Sequence, residues 1–216
     1  PYLNIYQYPE ELDYYTEEQV PPKFARVDAF IREEVQEFKI PEKLLENRLP
    51  ESRFIYLSLG SMGGYDIDLM KRIIDGLSKT CHKVIVSKGQ RGDEYDLPDN
   101  CWGANFLPQP NILPLMDLVI THGGNNTVTE SFSLGKPMIV VPLFADQYDN
   151  AQRLQELGYG VRLETYAFTE QELISAIDRL LFDEDLNRNL QKISSKIQNA
   201  NRKQKVCEII ENIVKK

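Results

Sequence analysis

The sequence predicts an α/β domain on a doubly wound parallel six-strand sheet, Rossmann-like in its strand order, and three observations carry that reading. From residue 54 onward, short apolar runs alternate with longer amphipathic ones, which is the rhythm of strand–helix–strand units. The apolar runs (FIYLSL, KVIVS, DLVIT, PMIVV) are nearly continuous, so they belong to strands covered on both faces. Two of them run into glycine clusters, Gly60-Ser61-Met62-Gly63-Gly64 and His122-Gly123-Gly124, where a chain can turn sharply into a helix.

Residues 1–52 do not share this rhythm. They are rich in Tyr, Glu and Pro, and Pro9, Pro21-Pro22, Pro41 and Pro50 break them into short pieces. They are expected to form an ordered connecting arm whose tyrosines (Tyr2, Tyr6, Tyr8, Tyr14, Tyr15) pack on the domain surface, with short helices near Asp28–Phe38 and Glu42–Asn47. The domain proper is expected over residues 53–216.

Within it, Phe54–Leu59 is the first strand. Asp66–Thr80 is a helix whose opening acids, Asp66 and Asp68, suit the positive end of the dipole. Lys83–Ser87 is the second strand and Gly103–Phe106 a short third. Asp117–Thr121, Pro137–Val141 and Gly160–Leu163 are the fourth to sixth. Helices are expected at Asn126–Leu134, Asp149–Leu157 and Glu170–Phe182, the last opened by a Thr169/Glu172 capping box. The tail from Asp185 to Lys216 reads as one or two helices.

Composition narrows the function. The chain has 216 residues, 42% hydrophobic and 27% charged, enough for one domain with a sizeable core plus an arm. A net charge of −8 argues against a nucleic-acid backbone as partner, because that needs a basic face. Cys81, Cys101 and Cys207 are odd in number and form no CxxC, so neither a disulfide framework nor a zinc site is indicated. Free thiols imply a reducing, cytoplasmic compartment. No apolar run approaches the roughly 20 residues of a membrane span, and no signal peptide is visible. The chain starts at Pro1 without a methionine, so it is expected to be a fragment.

Sheet order places a ligand site. In the order 3-2-1-4-5-6 the first and fourth strands are neighbours, and the crevice lies between their carboxyl ends. The two glycine clusters fall on its two sides. Glycines let backbone amides approach phosphate oxygens, and the helix starting near Asn126 points its positive end there. A dinucleotide would need GxGxxG after the first strand and an acid after the second. Here those positions read GSMGG and Ser87-Lys88, so a dinucleotide site is not met.

The stretch Phe106–Ala151 carries more than a phosphate loop. THGG, Asn126, Glu130, GKPMIVVP and ADQYDNA stand in the order and spacing that resembles the donor-binding signature of the UDP-glycosyltransferase superfamily (family 1 glycosyltransferases, GT-B fold). The resemblance covers residue 54 to the C-terminus and implies the C-terminal, nucleotide-sugar-binding half of a GT-B enzyme. Residues 1–52 would then be the interdomain linker, and an N-terminal acceptor-binding domain of the same protein would be the partner.

The resemblance also implies roles. Phe106 stands where the family usually has a tryptophan that stacks on uracil, a departure that leaves a smaller stacking face; a core aromatic at a strand end is the structural alternative. Leu107 would offer its backbone to the uracil edge. Gln109 and Glu130 would bind the ribose hydroxyls, since a carboxylate accepts two hydrogen bonds, although Thr127 and Glu130 also fit a capping box. Gly60, Ser61, His122, Gly124, Asn126 and Thr127 would surround the diphosphate, with a helix cap or core histidine as the alternative for His122. Asp146 and Gln147 would hold sugar hydroxyls, and the glutamine resembles glucose-type donors. A loop-turn role is the alternative for Asp146. Asn125 has no assigned role; Asn125-Asn126-Thr127 is formally a glycosylation sequon, expected to be unused. His82 is expected to be structural.

The implied reaction is inverting transfer of a sugar, most simply glucose from UDP-glucose, to a hydroxyl of a small lipophilic acceptor, as in detoxification. UDP-sugar would be a substrate; no metal or cofactor is implied. No residue matches the family's general base, a histidine of the N-terminal half, so these 216 residues are expected to bind donor without catalysing transfer. The alternatives are a UDP-GlcNAc-dependent GT-B transferase, a UDP-sugar epimerase of the same architecture, and a non-catalytic nucleotide-binding module.

Overall fold

Six parallel strands form the central sheet in the order expected from the sequence. The computed structural model describes residues 3–31, 37–46 and 48–215. Two short strands come first, β1 (Asn4–Gln7) and β2 (Phe24–Val27), paired in parallel. A short helix α1 (Glu42–Leu45) follows. Then come β3 (Phe54–Ser58), α2 (Gly60–Gly63), α3 (Ile67–Ser78), β4 (Lys83–Ser87), β5 (Cys101–Ala104) and α4 (Gln109–Ile112). The chain continues through β6 (Leu118–Thr121), α5 (Asn125–Ser133), β7 (Met138–Val140), α6 (Asp146–Glu156), β8 (Gly160–Arg162), α7 (Glu170–Phe182), α8 (Glu184–Asn199) and α9 (Arg202–Val214). The sheet order is β5-β4-β3-β6-β7-β8, with every pair parallel.

The strands are buried on both faces, as their unbroken apolar runs require. Ile55, Leu57, Val84, Val86, Leu118 and Ile120 face α3 and α7 in one core. Phe54, Tyr56, Ile85, Val119, Met138 and Val140 face the other, with Val128 and Phe132 of α5 and Ala151 and Leu154 of α6. Successive residues of one strand point to opposite sides, so β3, β4, β6 and β7 feed both cores. Leu190 and Ile193 of α8 close the second core.

Local signals set the helix starts. Asp66 caps α3 by accepting from the Leu69 N–H at 3.0 Å, so the Asp66-Ile67-Asp68 triplet serves the helix dipole. Thr169 and Glu172 form the reciprocal capping box of α7. The glycine φ angles of +70° at Gly60 and +89° at Gly123 fall where residues with a Cβ are penalised.

Several expectations need correction. The third strand lies two residues earlier than Gly103–Phe106, because Cys101 pairs with Val84 and Ala104 with Ser87, where the ladder ends. Phe106 is therefore outside the sheet. α6 begins at Asp146 rather than Asp149: Ala145 turns the chain with φ +54°, so Asp146 and Gln147 sit on a helix. Residues 28–31, 37 and 38 of the expected Asp28–Phe38 helix are not helical, and its middle lies outside the described residues. The β1–β2 pair was not foreseen, since four residues of mixed polarity give no period to read. No helix among the described residues is long and apolar enough to cross a membrane.

Candidate functional site

A cleft of about 480 Å³ opens at the carboxyl ends of β3, β4 and β6. Its floor follows from strand register. Ser58 ends β3 between Ser87 of β4 and Thr121 of β6, a row of small hydroxyl residues where apolar strands reach solvent. Beneath it the Tyr56 phenol is buried, pushed up to about 12 by desolvation against hydrogen bonds from Ser58 and Ser87, so it remains protonated.

The walls are the two glycine loops. Gly60 and Ser61 open α2 just after β3; His122 and Gly124 come from the β6–α5 turn. The imidazole is wedged between Gly60 and Gly124, since a Cβ on Gly124 would sit 2.5 Å from Nε2. Burial pushes His122 below the ordinary 6.5, opposed by a hydrogen bond to the Ser58 backbone and by the Asp146 charge. The ring is therefore neutral at pH 7. The N-terminal turn of α5, with the positive end of its dipole at the cleft, makes this wall suited to an anion.

The far wall carries the acid. Glu130 is buried at 3% exposure, on the first face of α5 that looks into the cleft. Gln109 Nε2 donates to its Oε2 at 2.7 Å and to Thr127 Oγ1 at 3.3 Å. The capping-box alternative for Thr127 and Glu130 does not form: Gly124 is the N-cap of α5, and Thr127 is its third residue. The fixed amide orients a buried carboxylate toward the cavity, an arrangement that suits a vicinal diol. Phe106 is 70% exposed at the mouth, which rules out the core-aromatic alternative and leaves an open ring face.

The structure brings Gly60, Ser61, Phe106, Leu107, Gln109, His122, Gly124, Asn126, Thr127 and Glu130 around this one cleft. Asp146 and Gln147 lie off its lining. Asp146 is exposed at the first turn of α6. Gln147 is buried, and its Oε1 accepts from the Leu143 and Phe144 N–H groups at 2.9 and 3.0 Å. Tyr56, Ser58, Ser87, Gly89, Asn105 and Asn125 also line the cleft and were not singled out from sequence as site residues. Ser58 and Ser87 carried a signal, as the polar ends of otherwise apolar strands. His82 is buried far from the cleft, its Nδ1 accepting from the Arg53 N–H at 3.2 Å.

A second cavity of about 550 Å³ lies between residues 27–31 and the α8–α9 junction. Its Arg202–Asp28 pair is closed internally at 2.8 Å, and it contains none of the crevice groups.

Comparison with known proteins shows the family and the fold. Residues 40–203 match the family described as UDP-glucoronosyl and UDP-glucosyl transferase. An uncharacterized UDP-glucosyltransferase, YdhE, of Bacillus subtilis (strain 168) is 30% identical over 171 residues, covering 78% of this chain and 43% of that protein. Human UDP-glucuronosyltransferase 1A9 is 34% identical over 154 residues, covering 69% of this chain and 28% of that protein. The chain thus spans less than half the length of these curated relatives. Among solved structures, the glycosyltransferase of kitacinnamycin superposes with a TM-score of 0.80 at 22% identity, over 98% of this chain and 55% of that one. Glycosyltransferase VinC, solved in complex with DTDP, superposes with a TM-score of 0.70 at 21% identity, over 94% and 50%. By the family match over residues 40–203 and the similarity to YdhE, this chain belongs to the family 1 UDP-glycosyltransferase superfamily, and its six-strand parallel sheet matches the structures of GT-B glycosyltransferases.

Proposed function

We propose that the cleft binds a UDP-sugar, with UDP-glucose as the favoured donor, for inverting transfer to a hydroxyl of a small lipophilic acceptor held by the other half of the protein. The observation that carries this is the buried Gln109–Glu130 pair, 2.7 Å apart, in the same cleft as the α5 N-terminus and His122. A diol-binding acid beside an anion-binding helix end matches a ribose joined to a diphosphate. The names of the curated relatives support uridine as the base.

In this reading Phe106 stacks on uracil and the Leu107 backbone meets its edge. Glu130 and Gln109 take the ribose hydroxyls. Gly60, Ser61, His122, Gly124, Asn126 and Thr127 surround the diphosphate. As the anomeric C–O bond breaks, negative charge grows on the leaving UDP, and fixed amides, the helix dipole and His122 lower its energy. Asp146 would take sugar hydroxyls, and Gln147 would do so through Nε2, because its oxygen is held by the loop backbone. The acceptor proton needs a general base, which the acceptor-binding half would supply. The chain alone therefore binds donor without turnover.

The test is calorimetric titration of this chain with UDP, UDP-glucose, UDP-glucuronic acid and UDP-GlcNAc, repeated on Glu130→Ala. UDP is expected to bind, and the substitution to weaken it about tenfold or more, the range for a charge-assisted hydrogen bond. Absence of binding by the unaltered chain would remove the assignment. Unchanged affinity in Glu130→Ala would remove Glu130 from the site. Tightest binding of UDP-GlcNAc would replace glucose as the donor.

A further inference from the structure

The crevice loop is held from outside the domain, by the arm. Asn150 of α6 is buried at 4% exposure and donates through Nδ2 to the carbonyl of Gly123 at 2.9 Å. Gly123 sits at φ +89°, and a Cβ there would lie 2.6 Å from Val140 Cγ1. The peptide leading into the α5 N-cap is thus fixed from below. The carbonyl oxygen of Asn150 is in turn held by the arm: Tyr8 OH donates to Oδ1 at 3.0 Å. Desolvation pushes the Tyr8 phenol up to about 12, so it donates at any physiological pH.

The preceding residue contacts the first turn of α5 directly. Asn125 Nδ2 donates to the Gln7 carbonyl at 3.2 Å, while Gln7 Nε2 donates to Asn126 Oδ1 at 3.4 Å and to Thr129 Oγ1. Gln7 ends β1, and the Tyr8 N–H continues its ladder to the Val27 carbonyl at 3.0 Å. Arg153 of α6 secures the same stretch by donating to the Leu12 and Asp13 carbonyls, both at 2.8 Å. Two consecutive arm residues therefore fix both the peptide before α5 and the asparagines that open it.

We propose that Gln7 and Tyr8 are positioning residues for the anion-binding end of the cleft. They hold the Gly123–Asn126 backbone at the orientation in which its N–H groups converge on a phosphate, and they do so through Asn150, Asn125 and Asn126. The inference rests on the nucleotide-binding reading of the cleft and adds to it an element outside the signature stretch. Its consequence is specific: loosening the arm weakens the phosphate end of the site and leaves the base and ribose end, built on Phe106, Gln109 and Glu130, untouched.

The experiment compares UDP with uridine on the unaltered chain, Tyr8→Phe and Gln7→Ala. UDP is titrated by calorimetry and uridine by NMR, which reads millimolar binding. Each substitution is expected to weaken UDP about tenfold, the effect of losing one or two part-buried side-chain hydrogen bonds, with uridine affinity unchanged. A merely structural role would lower both affinities together or neither, and either result overturns the proposal. Gln7→Ala keeps the test open should Tyr8→Phe fail to fold, because it acts through different bonds. No binding of UDP by the unaltered chain would instead overturn the nucleotide reading, and this inference with it.

Discussion

Gly60 and His122 pack against each other across the crevice: a Cβ on Gly60 would lie 2.7 Å from Cε1 of the imidazole. Gly60 also holds φ +70°, so two independent constraints exclude a side chain there. Gly60→Ala is expected to cost about 1–2 kcal/mol of stability from the backbone term alone. It should also displace the ring and weaken UDP binding. Thermal unfolding and calorimetry read the two effects; an alanine variant with unchanged affinity would show that the ring position does not matter to the ligand.

His122 should titrate below 6.5, because burial opposes its charged form more than Ser58 and Asp146 favour it. An imidazole whose folded value is depressed takes up its proton less readily than in the unfolded chain. Stability is then full above about 6.5 and falls as pH drops toward the folded value. Desolvation shifts His82 in the same direction, so both histidines contribute to one acid-side loss. NMR titration of the two ring Hε1 signals checks the midpoints, and a His122 midpoint at or above 6.5 contradicts this assignment. Adding UDP should raise the His122 midpoint, since a nearby anion favours imidazolium.

Ala145 adopts φ +54° and ψ −136° at the start of α6, a region that essentially only glycine enters without strain. Ala145→Gly is expected to stabilise the chain by about 1 kcal/mol after glycine's own entropic cost, seen as a melting temperature higher by roughly 2–4 °C. Ala145→Val should shift it the other way. A glycine variant that melts lower would mean that the turn is not strained.

The arm is fastened by charges as well as by Tyr8. Arg26, its side chain only 2% exposed, pairs with Asp13 at 2.8 Å, so Asp13→Ala leaves a buried guanidinium short of a partner and should cost about 2–3 kcal/mol. Burial alone would raise the Glu10 carboxyl, but the Arg202 hydrogen bond, the Glu17 N–H and Lys196 bring it down to about 2. Its contribution is therefore present above the ordinary 4.5 and is lost as pH falls through about 2. Protection factors for hydrogen exchange at β1 and β2, corrected for the intrinsic pH dependence of amide exchange, should fall over that window, and Arg202→Ala should raise the pH at which the loss is complete. Protection factors at these strands that are as high at pH 2 as at pH 6 would refute the charge fastening.

The strands, their order and the crevice were legible because apolar runs at this density form buried parallel sheets in few other ways, and the glycine clusters mark where the sheet's carboxyl ends open. The helix starts at Asp66 and Thr169 were legible because a cap is a local bond between residues three apart. Two things were not. The capping-box pattern of Thr127 and Glu130 was ambiguous in one dimension, and Gln109, 21 residues away along the chain, resolves it by holding the carboxylate toward the cleft. The row Ser87–Ser58–Thr121 exists only in the register between strands.

The sequence by itself determined the fold and the two loops that meet at its crevice, because periodicity and glycine placement act over a few residues. Tertiary structure decided which polar groups converge there and what holds them. The contacts from Gln7 and Tyr8 to α5 and Asn150 join positions separated by 118 to 142 residues, and no local pattern encodes a hydrogen bond over such a span.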